Sequence, residues 1–171
     1  MRRLILMRHA KSDWSAAYGS DHDRPLSERG VRAATTMGSV LMRAGLIPEY
    51  AITSSAIRAR TTLELAREAG DWDTAIEVTR ALYGTSPGGA LHVASNAPQE
   101  VTTLMLVGHE PTWSAVAHHL TGGSVEVKTA TVVGIDLYVD GWHRLPAVNG
   151  ALAFVLQPRH FADGRWKLGR T

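Results

Sequence analysis

The chain has 171 residues, with 18 Lys or Arg, 16 Asp or Glu and 8 His, a formal net charge of +2, and no Cys. A chain of this length buries enough surface for one core without staples. The missing cysteine excludes a disulfide scaffold, a Cys-ligated metal, a thiol nucleophile and a redox pair, which leaves histidine as the reactive side chain to follow.

Arg2-Arg3 followed by Leu4-Ile5-Leu6-Met7 is too short an apolar run for a secretory signal, which needs about 7 to 15 residues, or for a spanning helix, which needs about 20. No other stretch supplies either, so a cytoplasmic protein without a membrane partner is expected. Arg3 to Met7 instead reads as a buried strand, and Lys11 to Pro25, dense in Ser, Asp and Gly, as a loop. Ser27 is placed as the N-cap of a helix in which Val31, Ala34, Met37, Leu41 and Ala44 recur at helical spacing until Gly45. Tyr50 to Thr53 is a second strand. Ser54 or Ser55 is expected to cap a second helix running to about Ala69, with Ala59, Leu63 and Ala66 on one face.

Ala75 to Thr79 is a third strand candidate, Gly84 to Gly89 a turn-rich stretch and Ala90 to Ala94 a short helix. Thr103 to Gly108 is the clearest buried strand, and Pro111-Thr112 opens a helix with Trp113, Val116, Ala117 and Leu120 on one side, ending at Gly122-Gly123. Thr131 to Val139 and Ala151 to Leu156 are strand-like, separated by the turn signals Asp140-Gly141 and Asn149-Gly150. No repeat or linker interrupts the chain. The pattern predicts one α/β domain over residues 1–171, with a mostly parallel sheet closed by antiparallel edge strands from the last third.

In an open α/β sheet, ligands bind beyond the carboxyl ends of the strands. Arg8 and His9 follow the first strand. Ser54, Ser55 and Arg58 follow the second, and Gly108-His109-Glu110-Pro111 follows the clearest one. Two arginines and two histidines from three strand ends suit a phosphoryl group: guanidiniums grip its oxygens, positive charge stabilises its transfer, and an imidazole can attack. Taken singly, each of these residues has an ordinary structural reading as a surface arginine, a capped loop residue or a helix-end histidine. Their order at three strand ends carries the argument.

Leu6-Met7-Arg8-His9-Ala10-Lys11-Ser12, Arg24-Pro25-Leu26-Ser27-Glu28-Arg29-Gly30, Ser54-Ser55-Ala56-Ile57-Arg58-Ala59-Arg60-Thr61-Thr62 and Val107-Gly108-His109-Glu110-Pro111 together resemble the motif blocks of the histidine phosphatase superfamily, which includes phosphoglycerate mutases. The short chain and the Arg-His-Ala-Lys-Ser form look most like its SixA-type phosphohistidine phosphatase branch. The resemblance runs from the start to about residue 120. It implies a phosphoglycerate mutase-like three-layer α/β/α sandwich, His9 as the nucleophile, and Arg8, Arg58 and His109 as the phosphate pocket, with no metal and no cofactor. Lys11 and Ser12 are either a solvated loop or further binding residues, and Ser15 is a candidate phosphate contact.

The resemblance has two departures: Trp14-Ser15 stands where mutases have Trp-Asn after the first motif, which is the basis for Ser15, and the segment after the third strand lacks an acid. Many members of the superfamily place a carboxylate acid after the third strand, where Arg80-Ala81-Leu82-Tyr83-Gly84-Thr85-Ser86 has none. Glu110, Asp13 or the Asp21-His22-Asp23 loop remain as proton sources. A site without that acid suits a phosphoramidate, whose imidazole leaving group can already carry a proton, better than an alkoxide. The expected substrate is therefore phosphohistidine, on a protein, or a small phosphomonoester. A mutase-like phosphotransferase and a non-catalytic phosphate-binding module are the alternatives, and the oligomeric state stays open.

The remaining histidines carry less. His118 and His119 are helix neighbours pointing about 100° apart, which suits no shared metal, and His22, His92, His143 and His160 are expected at the surface or at caps. The arginines are scattered with no run longer than Arg2-Arg3, whereas a nucleic-acid footprint clusters on one face, so no nucleic-acid partner is expected. The basic tail from Arg159 to Arg170 is expected to cover a sheet edge.

Overall fold

The computed structural model describes residues 1–145, 147–162 and 165–166. Leu4, Ile5, Leu6 and Met7 are all fully buried in β1 (Arg2–Arg8), the continuous apolar run of a strand covered on both faces. Their alternation divides the core. Leu4 and Leu6 face a cluster built with α3 (Pro87–Ser95) and α4 (Thr112–Thr121), while Ile5 and Met7 face one built with α1 (Glu28–Arg43) and α2 (Ile57–Gly70). The result is the expected α/β/α sandwich.

Between the helix layers lie β2 (Tyr50–Ser54), β3 (Ala75–Thr79), β4 (Thr103–Gly108), β5 (Val132–Leu137) and β6 (Gly150–Leu156), which join β1 in a six-stranded sheet of order β3-β2-β4-β1-β5-β6. The first four strands in that order pair in parallel, whereas β5 pairs antiparallel with both β1 and β6. Only β5 therefore runs against the rest of this sheet, and it lies inside it; the edges are β3 and β6. The central strands β1, β2 and β4 end side by side, with Arg8 in register with Gly108 and Thr53 with Val107. This register, together with the crossovers, places their carboxyl ends at one crevice.

Two elements differ from the reading of the sequence. Helix α2 starts at Ile57 after Ala56, which has no capping side chain, because Ser54 Oγ and Ser55 Oγ are engaged with histidines instead. Helix α3 starts at Pro87, three residues earlier than the turn-rich composition suggested. Ser86 caps it by accepting the Gly89 N–H at 3.1 Å, and Pro87 occupies its first turn, where a missing N–H costs nothing.

The tail, as far as it is described, forms β7 (Phe161–Ala162) and β8 (Arg165–Trp166), with Phe161 buried against the α1 side of the sheet. The expectation for residues 163–164 and 167–170 lies outside the described residues. Among the described residues, no helix is long and apolar enough to cross a membrane.

Helices α1 and α2 pack closely because Gly38 lacks a side chain: a Cβ there would sit 2.1 Å from the carbonyl oxygen of Ala66. Gly38→Ala must push the helix backbones apart, an overpacking cost of about 1–3 kcal/mol. At this chain length the expected drop in Tm is on the order of 2–12 °C. Differential scanning calorimetry reads it, and an unchanged Tm refutes the close contact.

Candidate active site

The loop that follows β1 is held from three sides before any side chain is considered. The His9 N–H donates to Gly108 O at 2.9 Å, the Ala130 N–H reaches the carbonyls of Arg8 and His9, and the Ala10 N–H donates to Thr62 Oγ1 at 3.0 Å. Beneath it, the buried indole of Trp113 donates to Met7 O at 2.9 Å, and Gly108 leaves room for that ring, since a Cβ would lie 2.7 Å from it. The α1 N-cap is tied to the same loop. Ser27 N and Ser27 Oγ both donate to Lys11 O, and Gly30 lies where a Cβ would approach that oxygen to 2.1 Å.

On this frame, His9 is 8% exposed, and its Nδ1–H donates to Ala10 O at 2.7 Å. A carbonyl can only accept, so the hydrogen is fixed on Nδ1 and Nε2 keeps its lone pair. Burial pushes the His9 pKa down to about 3, helped by His109, Arg58 and Arg8; the bond to Ala10 opposes this and does not outweigh it. The ring is therefore neutral and oriented at neutral pH.

His109, from the end of β4, stands with its ring centroid 5.1 Å from that of His9. Its Nε2 is 2.9 Å from Ser54 Oγ, and burial, followed by the Arg58 charge, lowers its pKa to about 4. Arg8 donates from Nη1 to Val127 O at 3.0 Å, and Arg58 donates from both terminal nitrogens to Asp21. Both arginines keep a buried Nε–H without a protein partner. Desolvation lowers the Arg8 pKa from its ordinary value.

Arg8, His9, Arg58 and His109 line one cleft of about 510 Å³, together with Lys11, Ser12, Trp14, Asp21, Arg24, Tyr83, Gly84, Glu110 and Thr129. Ser12 is buried, and its hydroxyl accepts from Arg24 Nη1; Lys11 is exposed at the mouth. Ser15 is not brought to the cleft. Its N–H and hydroxyl both turn back onto Asp13 Oδ1, at 2.8 and 2.6 Å.

Reading the sequence by strand ends missed Arg24 and Tyr83 as parts of the cleft wall. Arg24 is 6% exposed, with its guanidinium 3.6 Å over the Trp14 ring, and Asp21 bridges it to Arg58 at 2.7 and 2.9 Å. The Tyr83 hydroxyl donates to the same carboxylate at 3.1 Å. Burial pushes the Asp21 pKa up, but the bond from Arg24 and the charges of Arg58 and Arg24 outweigh it and hold the group at about 2. Asp21 is thus ionised near neutrality and has no proton to donate. A signal existed: Asp21 and Arg24 stand three apart, the spacing of a local ion pair.

Of the other proton sources considered from the sequence, Glu110 is bonded to Ser114 N and Ser114 Oγ at 3.0 and 2.6 Å, in the first turn of α4. Asp13 is bonded to Ser15, and Asp23 to Ser20 Oγ at 2.7 Å. His22 lies behind the wall, with Nε2 2.9 Å from Ser55 Oγ.

Comparison with known proteins agrees with this geometry. An uncharacterized protein of Mycobacterium tuberculosis is 42% identical over 158 residues, covering 92% of this chain and 90% of its own. Among solved structures, SixA of Nakamurella multipartitia superposes with a TM-score of 0.79 at 28% identity, covering 92% of this chain and 96% of its own. SixA of Agrobacterium tumefaciens gives a TM-score of 0.79 at 25% identity, with 92% and 98% covered. Residues 4–89 match the family model of the histidine phosphatase superfamily (branch 1), and with the SixA likeness running almost the whole length, the chain belongs to that superfamily of phosphatases and phosphotransferases, in its SixA-type branch.

Proposed function

We propose that the protein is a metal-independent phosphatase that hydrolyses phosphohistidine or a small phosphomonoester through a covalent intermediate on His9. The observation that carries this reading is a neutral imidazole, fixed with its Nε2 lone pair free, in one cleft with two guanidiniums whose buried Nε–H groups have no protein partner. Unpartnered buried donors are costly, and an anion in the cleft satisfies them. Phosphohistidine phosphatase activity is also proposed for the two SixA relatives.

In the first step His9 Nε2 attacks phosphorus, the bond to the leaving group breaks, and its electron pair departs on the leaving atom. Arg8 and Arg58 stabilise the equatorial oxygens, and neutral His109 hydrogen-bonds the phosphoryl group beside them. Lys11 at the mouth and Ser12, through Arg24, extend the anion-binding surface. The phosphorylated ring still carries Nδ1–H and is cationic, so the Ala10 carbonyl stabilises it. Water then attacks phosphorus, the P–N bond breaks, and its electron pair returns to Nε2 as phosphate leaves.

Asp21 is ionised and Glu110 is committed to Ser114. Neither supplies the proton that an alkoxide requires, whereas a leaving imidazole already bears one. This favours phosphohistidine, carried by a protein, over sugar phosphates.

Incubation with a phosphoryl donor is expected to leave acid-labile phosphate on the wild type and none on His9→Ala, with hydrolysis falling by on the order of 10³-fold or more. Retention of activity by His9→Ala, or its loss in EDTA, overturns the mechanism. Arg8→Ala and Arg58→Ala are each expected to cost roughly 10²–10³ in kcat with folding preserved, since each removes a donor that strengthens in the transition state. A change confined to KM contradicts that role.

The His9 and His109 pKa values of about 3 and about 4 lie below that of free imidazole, about 6.5. The unfolded chain therefore binds more protons between those values and pH 6.5. The stability that these two groups contribute is complete above that window and is lost as pH falls through it. Imidazole NMR shifts of His9 are expected to stay flat from pH 8 to 5. Titration near 6.5 contradicts the neutral, poised nucleophile.

A further inference from the structure

Beside the active-site cleft, and sharing Lys11 and Thr129 with it, runs a second, smaller groove of about 140 Å³. Its walls are Lys11, Arg29, Lys128, Thr131, Gln157 and Arg159, with Ala33 and Pro158. No carboxylate lines it among the described residues, and its cations come from four separate segments of the chain. Lys11 and Arg29 have no ion-pair partner among the described residues, and Lys128 pairs only with the exposed Glu126, at 3.2 Å. In its floor lies Thr131, fully buried, whose hydroxyl has no hydrogen-bond partner and can donate. Four cations around an unsatisfied hydroxyl are the complement of an anion.

The two hollows differ in construction. In the cleft, Arg24 and Arg58 are buried and their guanidiniums are locked onto Asp21, which suits one phosphoryl group of fixed geometry. In the groove, Lys11, Arg29, Lys128 and Arg159 are exposed on long stems, which suits carboxylates whose positions vary from one partner to the next.

We propose that this groove is a second anion subsite that receives an acidic side chain of a phosphorylated polypeptide whose phosphoryl group lies at His9. The inference rests on the phosphatase reading and extends it to substrate class: a protein segment with Asp or Glu near the phosphorylated residue. The shared Lys11 makes the surface continuous, so a single extended segment can occupy both hollows.

The test compares two phosphohistidine peptides, one with Asp and Glu flanking the phosphorylated residue and one with Ser and Gln, with p-nitrophenyl phosphate as a small reference substrate. Lys128→Glu/Arg159→Glu reverses two groove charges that the catalytic step does not use. The variant is expected to lose about tenfold or more in kcat/KM on the acidic peptide and less than about twofold on the reference. The wild-type preference for the acidic peptide should weaken as salt rises.

Equal losses on acidic and neutral peptides, or no loss, overturn the proposal. So does a greater loss on a small bisphosphate than on the acidic peptide, because the groove then serves small molecules. Binding of the unphosphorylated acidic peptide, followed by fluorescence anisotropy, separates the two readings. A wild type inactive on every substrate but binding that peptide in a Lys128- and Arg159-dependent way overturns the phosphatase and supports the groove. Normal turnover without such binding does the reverse.

Discussion

The site depends on holding three arginines around an imidazole that must stay uncharged. Removing a charged group from water costs several kcal/mol per ion, by order of magnitude, and like charges in a low-dielectric cleft add to that cost. Asp21 resolves part of this by joining the Arg24 and Arg58 guanidiniums through one carboxylate. His9 contributes from the other side: burial keeps it neutral in spite of the bond from its Nδ1–H to Ala10, so it adds no positive charge. What remains is an excess of donors, Arg8 Nε and Arg58 Nε among them, that the protein does not satisfy internally. Under the proposed function, that deficit is what a bound phosphoryl group satisfies.

The backbone is arranged to make this excess rigid. His9 extends the β1–β4 ladder by one hydrogen bond, Ala130 clamps the same peptide from the β5 side, and Trp113 fixes Met7 from the α4 layer. Helix α1 begins against the loop through Ser27 and Gly30, so the helix start and the loop after β1 form one unit. The Arg24-to-Gly30 block is therefore more than a helix boundary. It supplies a charged wall residue at one end and a close backbone contact at the other.

The residues legible in the sequence are those whose position follows from topology. Arg8, His9 and His109 stand at strand ends, and Arg58 in the first turn of a helix, so the parallel order of β1, β2 and β4 brings them together. The same reasoning gives the two helix layers, because apolar residues fall at helical spacing in α1 and α4 and form continuous runs in β1 and β4. Arg24, Tyr83 and Trp14 were hidden for a different reason, and Asp21 was read only as part of a loop and a proton source. They sit on loops whose path is set by non-local bonds, such as Asp13 N to Pro25 O at 2.9 Å and the bridge between Ser12 and Leu26. No local pattern encodes that path. Ser15 shows the same limit in reverse: its place after Trp14 suggested a phosphate contact, but the loop turns its hydroxyl onto Asp13.

The missing carboxylate after the third strand acquires a physical meaning once Tyr83 is placed. That segment delivers a phenol which donates to Asp21, and so adds a third donor to the carboxylate that already joins Arg24 and Arg58. Where a proton donor would face the leaving group, this chain instead reinforces the positive wall. Such a wall favours binding and transfer of a dianion and does nothing for protonation of an alkoxide. Under the proposed function, selectivity for a leaving group that brings its own proton follows from how the charges are held, independently of any contact to the rest of the substrate.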